Sequence, residues 1–302
     1  MIECVPNFSE GRDAGIVRAI ADTIEATPEV VLLGIESDAD HNRTVATFAG
    51  PVPAVIEAAV RAAGTAAEKI DLRRHEGVHP RTGAADVIPF VPLEGSTIGE
   101  CVGAAHQAGA EIWRRFGVPV YFYEAAARVP GRARLESVRR AGFDGQPPDI
   151  GAMPAHPSAG ASMVGARDFL IAYNVLLEAA DVAIAKAIAR KIRESSGGFR
   201  FVKAIGLDLP SRNCAQVSMN LTRFAETPLD EVYRAIETEA ERHGTRAAGG
   251  ELIGFIPRRA FEMFPEFFRH AANFDESRII ENRIAQVWKA KQSAAARLLD
   301  SK

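Results

Sequence analysis

His75-Glu76-Gly77-Val78-His79-Pro80-Arg81-Thr82-Gly83-Ala84-Ala85-Asp86 is the densest run of chemically capable side chains in the sequence. It admits two chemistries. Read letter by letter, His75-Glu76-x-x-His79 is the H-E-x-x-H pattern of zinc peptidases, where two histidines on one helix face hold a metal and the glutamate activates water. That pattern needs a helix, and Gly77 inside the turn costs about 1 kcal/mol relative to alanine. Pro80 pushes His79 toward extended geometry, and no third ligand follows at a recognisable spacing. The other reading is a loop, stiffened by Pro80, that presents His79 as a single acid/base group, with a capped histidine holding Asp86 as the bland alternative. An unperturbed imidazole titrates near ~6.5, so both of its forms are within reach at neutral pH. His75 then orients or supports the loop. His41 either lines a cleft or sits in a surface turn, while His106, His243 and His270 fall in helical stretches and read as ordinary core or solvated residues. Asp38 and Asp40 are spaced for a metal but also suit a solvated turn.

Composition narrows the setting. With 302 residues, 47% hydrophobic and 25% charged, the chain can bury an ordinary globular core and is long enough for two modest domains. A formal net charge of −3 argues against nucleic acid or an anionic membrane as a bulk partner. An anionic small molecule would need a locally basic cleft. Cys4, Cys101 and Cys214 are far apart, so neither a disulfide framework nor a C-x-x-C metal site is encoded. No basic-then-apolar leader opens the sequence and no apolar run approaches the ~18 residues of a membrane span. A cytoplasmic protein in a reducing compartment is expected.

The elements that must position these side chains alternate. Residues 2–8 read as a strand, Asp13 caps a helix to about residue 26, and apolar runs at 29–36 and 43–49 read as two strands. A long alanine-rich helix spans 53–70, a loop 71–86, a strand 86–91, a helix 97–116 and a strand 118–123. Strand-helix-strand-strand-helix-strand is the split pattern of ferredoxin-like folds. The pattern repeats more weakly: strand 169–176, helix 178–194, strands 202–207 and 215–224, a helix from Thr227-Pro228 with threonine as the cap, and a strand 251–256. The fold class expected is α+β, with two ferredoxin-like subdomains, each a mostly antiparallel sheet with helices on one face. The boundaries are 1–169 and 170–302. Between the halves, residues 147–160 form a loop rich in turn formers, longer than an idle connection usually is.

Ile2-Glu3-Cys4-Val5-Pro6-Asn7-Phe8-Ser9-Glu10-Gly11, Asn42-Arg43-Thr44-Val45 and the run from His75 to Phe90 together resemble the glutamate formimidoyltransferase family, the formiminotransferase part of formimidoyltransferase-cyclodeaminase. Pro119-Val120-Tyr121, Gly165-Ala166-Arg167 up to Asn174, and Asn213-Cys214-Ala215-Gln216-Val217-Ser218-Met219-Asn220 extend the match to about residue 260, as in a stand-alone member. The resemblance implies transfer of a formimidoyl group from N-formimidoyl-L-glutamate to N5 of tetrahydrofolate, releasing L-glutamate in histidine degradation. It implies two similar α/β subdomains with folate in a cleft between them. It places the catalytic histidine on His79 and the folate-binding stretch on Gly151-Ala152-Met153-Pro154-Ala155-His156-Pro157-Ser158-Ala159-Gly160. Glycines at both ends of that stretch would let the backbone approach a flat pteridine.

Both substrates carry carboxylates, which arginine matches with its bidentate fork. Arg43 and Arg81, set in the most distinctive motifs, are the choices for that role, with a scaffold ion pair as the alternative for each. Arg73 and Arg74 read as a solvated helix end. Tetrahydrofolate is the expected co-substrate and no metal is expected. Expected partners are the two small molecules, not nucleic acid or membrane, with a homodimer and a separate cyclodeaminase as further candidates. Formyl transfer between 5-formyltetrahydrofolate and glutamate, a non-catalytic folate-sensing module and a zinc peptidase are the competing functions.

Overall fold

The computed structural model describes residues 1–139 and 146–300. The chain divides into two compact units, Met1–Asp168 and Phe169–Lys302. No helix among the described residues is long and apolar enough to cross a membrane.

The first unit runs β1 (Ile2–Cys4), β2 (Asn7–Phe8), α1 (Ala14–Glu25), β3 (Val31–Asp38), β4 (Arg43–Gly50), α2 (Val52–Lys69), β5 (Ala85–Pro92), α3 (Ile98–Phe116), β6 (Val120–Glu124) and β7 (Ser162–Ala166). Asp13 caps α1 by accepting from the amides of Gly15 and Ile16. Thr97 and Glu100 form a reciprocal capping box on α3. Side chains alternate along each strand. Ile2, Cys4, Phe8, Ala46, Phe48, Ile88, Phe90, Val120 and Phe122 therefore enter one core with the apolar faces of α1, α2 and α3. The opposite sheet face carries Asn7, Arg43 and a smaller cluster of Val87, Tyr121, Tyr123 and Met163.

Its seven-stranded sheet follows the order β1-β4-β2-β5-β7-β6, with β3 added on β4. Two features depart from the sequence reading. The strand at 2–8 is split, because Pro6 has no N–H to donate to a ladder, although its carbonyl accepts from Ala46. The sheet is also extended by two parallel pairings, β5 with β7 and β6 with β7. The short strand β7 was not anticipated: all five of its residues are buried, so it lacks the alternation that marks a half-exposed strand.

The second unit runs β8 (Ile171–Leu177), α4 (Val182–Ile192), β9 (Val202–Leu209), β10 (Cys214–Leu221), α5 (Leu229–Arg242), β11 (Ala247–Ile253), α6 (Arg258–Met263), α7 (Pro265–Arg269) and α8 (Ile280–Asp300). Its four strands pair antiparallel in the order β11-β8-β10-β9. Tyr173, Val175, Val217, Met219, Ile188, Ile236, Phe267 and Phe268 fill its own core. Thr227 does not cap α5: its hydroxyl donates to the carbonyl of Arg223, and Pro228 occupies the cap position.

Candidate active site

Residues 71–84 contain no helix. His75 and His79 are therefore not set one turn apart, and the peptidase geometry fails on backbone conformation. The loop is instead locked onto the β3–β4 turn. Asn42, in the left-handed region at φ 46°, is 6% exposed. Its Oδ1 accepts from the Gly11 amide and its Nδ2 donates to the carbonyl of Glu76. Asparagine tolerates this conformation because its short side chain bonds locally. Nε2–H of His75 donates to the Asn42 carbonyl at 2.9 Å, since a carbonyl can only accept. Gly77 lies so close that a Cβ there would stand 2.5 Å from the carbonyl oxygen of His41. His75 is thus a half-buried support, and burial, offset in part by that hydrogen bond, lowers its pKa.

His79 follows in the same loop, half-buried, its ring centroid 5.8 Å from that of His41. His79 Nδ1 lies 2.8 Å from the carbonyl of Pro80. That bond requires the proton on Nδ1, so Nε2 carries the lone pair. Burial and the positive charges of Arg43 and Arg139 hold the ring well below the usual imidazole pKa, against the opposing pull of the Pro80 carbonyl and Asp86. At neutral pH the side chain is a neutral imidazole ready to accept a proton.

Beneath it lies a buried charge cluster. β5 carries one extra residue, Asp86, between Ala85 and Val87, which face Phe8 and Asn7. Such a bulge re-aims a side chain. Asp86 is fully buried, and its four lone-pair directions are all used. Oδ2 accepts from Arg43 Nη1 at 2.7 Å and from Arg139 Nη2, while Oδ1 accepts from the Thr82 amide at 2.7 Å and the Thr82 hydroxyl at 2.8 Å. Burial alone would raise its pKa, yet the two guanidiniums and these hydrogen bonds bring it down to about 2. Arg43 also donates from Nε to Asn7 Oδ1, so two of its three guanidinium nitrogens are engaged in this scaffold. Arg81 donates to the carbonyl of His75 and borders a cavity.

That cavity measures about 610 Å³ and is lined by Leu72, Arg73, Arg81, Thr82, Met153, Pro154, Ala155, His156, Pro157 and Gly160. Its size lies within the ~300–1,000 Å³ of small-molecule sites. Six of the ten residues at 151–160 therefore face it. Ala159 points into the core, and Gly151, Ala152 and Ser158 are absent from the lining. The terminal glycines are also required by the protein itself. A Cβ on Gly160, at φ 69°, would meet the Thr82 carbonyl oxygen at 2.2 Å, and one on Gly151, at φ 104°, would meet Trp113 at 2.8 Å. The stretch is tied down by Leu72 N–H to Ser158 O and Ala84 N–H to Ala159 O, each 2.8 Å. His156 Nδ1 accepts from the Ala159 amide, closing the turn from inside.

Other candidates are placed elsewhere. Asp38 accepts from the His41 amide as a turn cap, and no metal-holding group of His, Cys, Asp and Glu occurs among the described residues. Arg73, which also lines the cavity, pairs with Asp71 in an exposed turn past the end of α2 rather than on the helix itself. His106 bonds the Ala126 carbonyl, and His270 stacks on Tyr233. Sequence reasoning missed Arg139 and Thr82. Arg139 sits in a stretch with several arginines and no spacing signal; Thr82 was inside the motif but looked like a spacer.

A family model for the formiminotransferase domain, N-terminal subdomain, matches residues 1–167, and a model for the formiminotransferase domain matches residues 172–288. Glutamate formimidoyltransferase of Streptococcus pyogenes serotype M1 is 40% identical over 94% of this chain and 98% of its own length. The protein of the same name from Thermoplasma acidophilum is 40% identical over 94% of this chain and 97% of its own. Formimidoyltransferase-cyclodeaminase of Gallus gallus is 41% identical over 89% of this chain, which spans 52% of that longer protein. With both halves matched in order and relatives aligned nearly end to end, the chain belongs to the formiminotransferase family.

Proposed function

We propose that the chain is a glutamate formimidoyltransferase, a transferase that moves the –CH=NH group of N-formimidoyl-L-glutamate to N5 of tetrahydrofolate and releases L-glutamate. The observation that carries the chemistry is His79, a neutral imidazole with Nδ1 tied to Pro80 and Nε2 open as a base. Forming the N5–carbon bond requires a proton to leave N5, and breaking the bond from that carbon to the glutamate nitrogen requires one to arrive there. His79 takes the first proton and, as the imidazolium, delivers it to the departing nitrogen, which is acid–base catalysis worth about 10²–10⁴ in rate. Because the site depresses the imidazolium's pKa, the protonated form is a strong acid at the moment of release. This chemistry needs no metal.

Tetrahydrofolate is the co-substrate, and we assign its binding to the 151–160 stretch through the residues that line the cavity, Met153 to Pro157 and Gly160. Arg81, at the same rim, suits a substrate carboxylate; Arg43 already has two of its three guanidinium nitrogens engaged with Asp86 and Asn7. The strand orders β5-β1/β2-β4-β3 and β11-β8-β10-β9 support reading both units as ferredoxin-like. We take the two subdomains as 1–169 and 170–302, and the location as cytoplasmic.

The test is an assay with N-formimidoyl-L-glutamate and tetrahydrofolate beside one with 5-formyltetrahydrofolate and glutamate. Turnover in the first pair is expected, falling at least about 10²-fold in His79→Ala while folate binding persists. Wild-type protein inactive with the first pair would overturn the reading.

A further inference from the structure

We propose that Arg139 determines specificity in the transfer reaction: its guanidinium takes the α-carboxylate of N-formimidoyl-L-glutamate and so seats the departing nitrogen beside His79. The inference rests on the reaction proposed above and deepens it by naming the group that recognises one end of the donor substrate.

Arg139 belongs, with His79, to the first unit. It ends the helical residues 135–139, which Leu135 and Val138 anchor in the small cluster with Val87, Tyr121, Tyr123 and Met163. Its Nη2 donates to Asp86 Oδ2, and its positive charge acts on the His79 ring. Asp86 can answer no further donor, because Arg43 and Thr82 take its remaining lone pairs. Yet Arg139 Nε is buried and has no acceptor among the described residues. Native structures rarely leave such a donor unanswered, least of all on a charged group. The protein alone therefore does not use up this guanidinium. Nor is the side chain sealed off: it is 20% exposed, against 10% for Arg43 and 0% for Asp86. Thr82, bonded to the other oxygen of Asp86, lines the cavity assigned above to tetrahydrofolate, so the cluster adjoins one of its walls.

A guanidinium only donates, so its partner must be an acceptor. Counted over Arg43, Arg139 and Asp86, two positive charges face one negative, which favours an anion over a neutral amide or amidine. A carboxylate meets both demands and matches the guanidinium fork. Carboxylates come from the formimidoyl donor and from the glutamate end of folate. On the donor, the α-carboxylate shares its carbon with the nitrogen that departs, so holding it next to His79 brings that nitrogen to the imidazole. On folate, the p-aminobenzoyl bridge keeps the glutamate end away from N5, and the two cannot both lie at His79.

Steady-state kinetics of wild type, Arg139→Gln and Arg139→Lys with N-formimidoyl-L-glutamate and with its α-amide test the contact. Wild type is expected to prefer the acid by at least about tenfold in kcat/KM, as for a lost hydrogen bond to a charged group. In Arg139→Gln the preference is expected to collapse through a raised KM for the acid, while the KM for tetrahydrofolate stays within about twofold. Arg139→Lys keeps a charge for Asp86 and is expected to restore part of the preference, which also guards against a folding defect in the glutamine variant. An arginine that merely supports the fold would slow acid and amide alike and leave their ratio intact, and that result overturns the inference. So does a wild type indifferent to the α-carboxylate, which needs no variant to observe. A raised KM for tetrahydrofolate with the acid-to-amide ratio unchanged assigns the arginine to folate and overturns it too. A wild type inactive with N-formimidoyl-L-glutamate overturns the proposed reaction itself, whereas turnover without the α-carboxylate preference overturns this contact alone.

Discussion

Replacing Asp86 with asparagine keeps the side chain's shape and one acceptor for Thr82, but removes the charge that two guanidiniums share. The carboxylate is 0% exposed, against 10% for Arg43 and 20% for Arg139. Its pKa falls from 3.8 to about 2 on folding, although burial by itself would raise it. At about 1.36 kcal/mol per unit, the ionised form contributes roughly 2 kcal/mol. Removing one partner of a buried pair costs about 3–5 kcal/mol when the remaining charge is left uncompensated. A loss of roughly 2–4 kcal/mol is therefore expected at pH 7. The sign follows from a depressed carboxylate: the contribution is present above the unfolded pKa near 3.8 and disappears as pH falls toward 2. The difference between wild type and Asp86→Asn should accordingly shrink across that window. Urea unfolding followed by fluorescence reads it out, using Trp113 in α3 with Trp288 of α8 changed to phenylalanine, since the two tryptophans lie in different units. A difference under about 1 kcal/mol at pH 7, the level of an exposed ion pair, refutes the reasoning. So does one that stays constant down to pH 2.5.

Two further outcomes follow from the site. Because burial and the charges of Arg43 and Arg139 depress His79, the ring stays unprotonated as pH drops through its ordinary value. The acid limb of kcat/KM should then lie well below ~6.5 and move upward in Arg139→Gln; a wild-type limb at or above that value contradicts the assignment. Gly160→Ala combines a left-handed backbone with a Cβ 2.2 Å from the Thr82 carbonyl oxygen, so a loss of at least about 1–3 kcal/mol is expected in thermal melts. Gly103→Ala in α3, where nothing lies within 4 Å, should instead stabilise by up to about 1 kcal/mol and serves as the control.

Much of the architecture was legible because each amphipathic helix and alternating strand carries its own period. α2, α3, β4 and the second unit's β8-α4-β9-β10-α5-β11 order fall within a few residues of where the spacing put them. What escaped had no local signature. β7 is too small and too evenly buried to alternate, and Pro6 breaks a strand through a missing donor that apolar patterning does not register. In the site, Gly77 and Pro80 correctly indicated a loop at His79. The glycines at 151 and 160 pointed to close approach, and Trp113 and the Thr82 backbone, neighbours supplied by other elements, do approach them. The partnership of Asp86 with Arg139 joins residues 53 apart in the chain and was invisible for the same reason.

The 151–160 stretch is fastened at both ends to different strands. Ile150 bridges to Val120 on the outer strand, and Gly160 bridges to Gly83 at the entrance to β5. Its middle, Met153 to Pro157, faces the cavity, and His156 is tied back to Gly160, so these positions form one wall held between fixed posts. Substitution between those posts would reshape the cavity wall while leaving in place the two bridges that hold its ends.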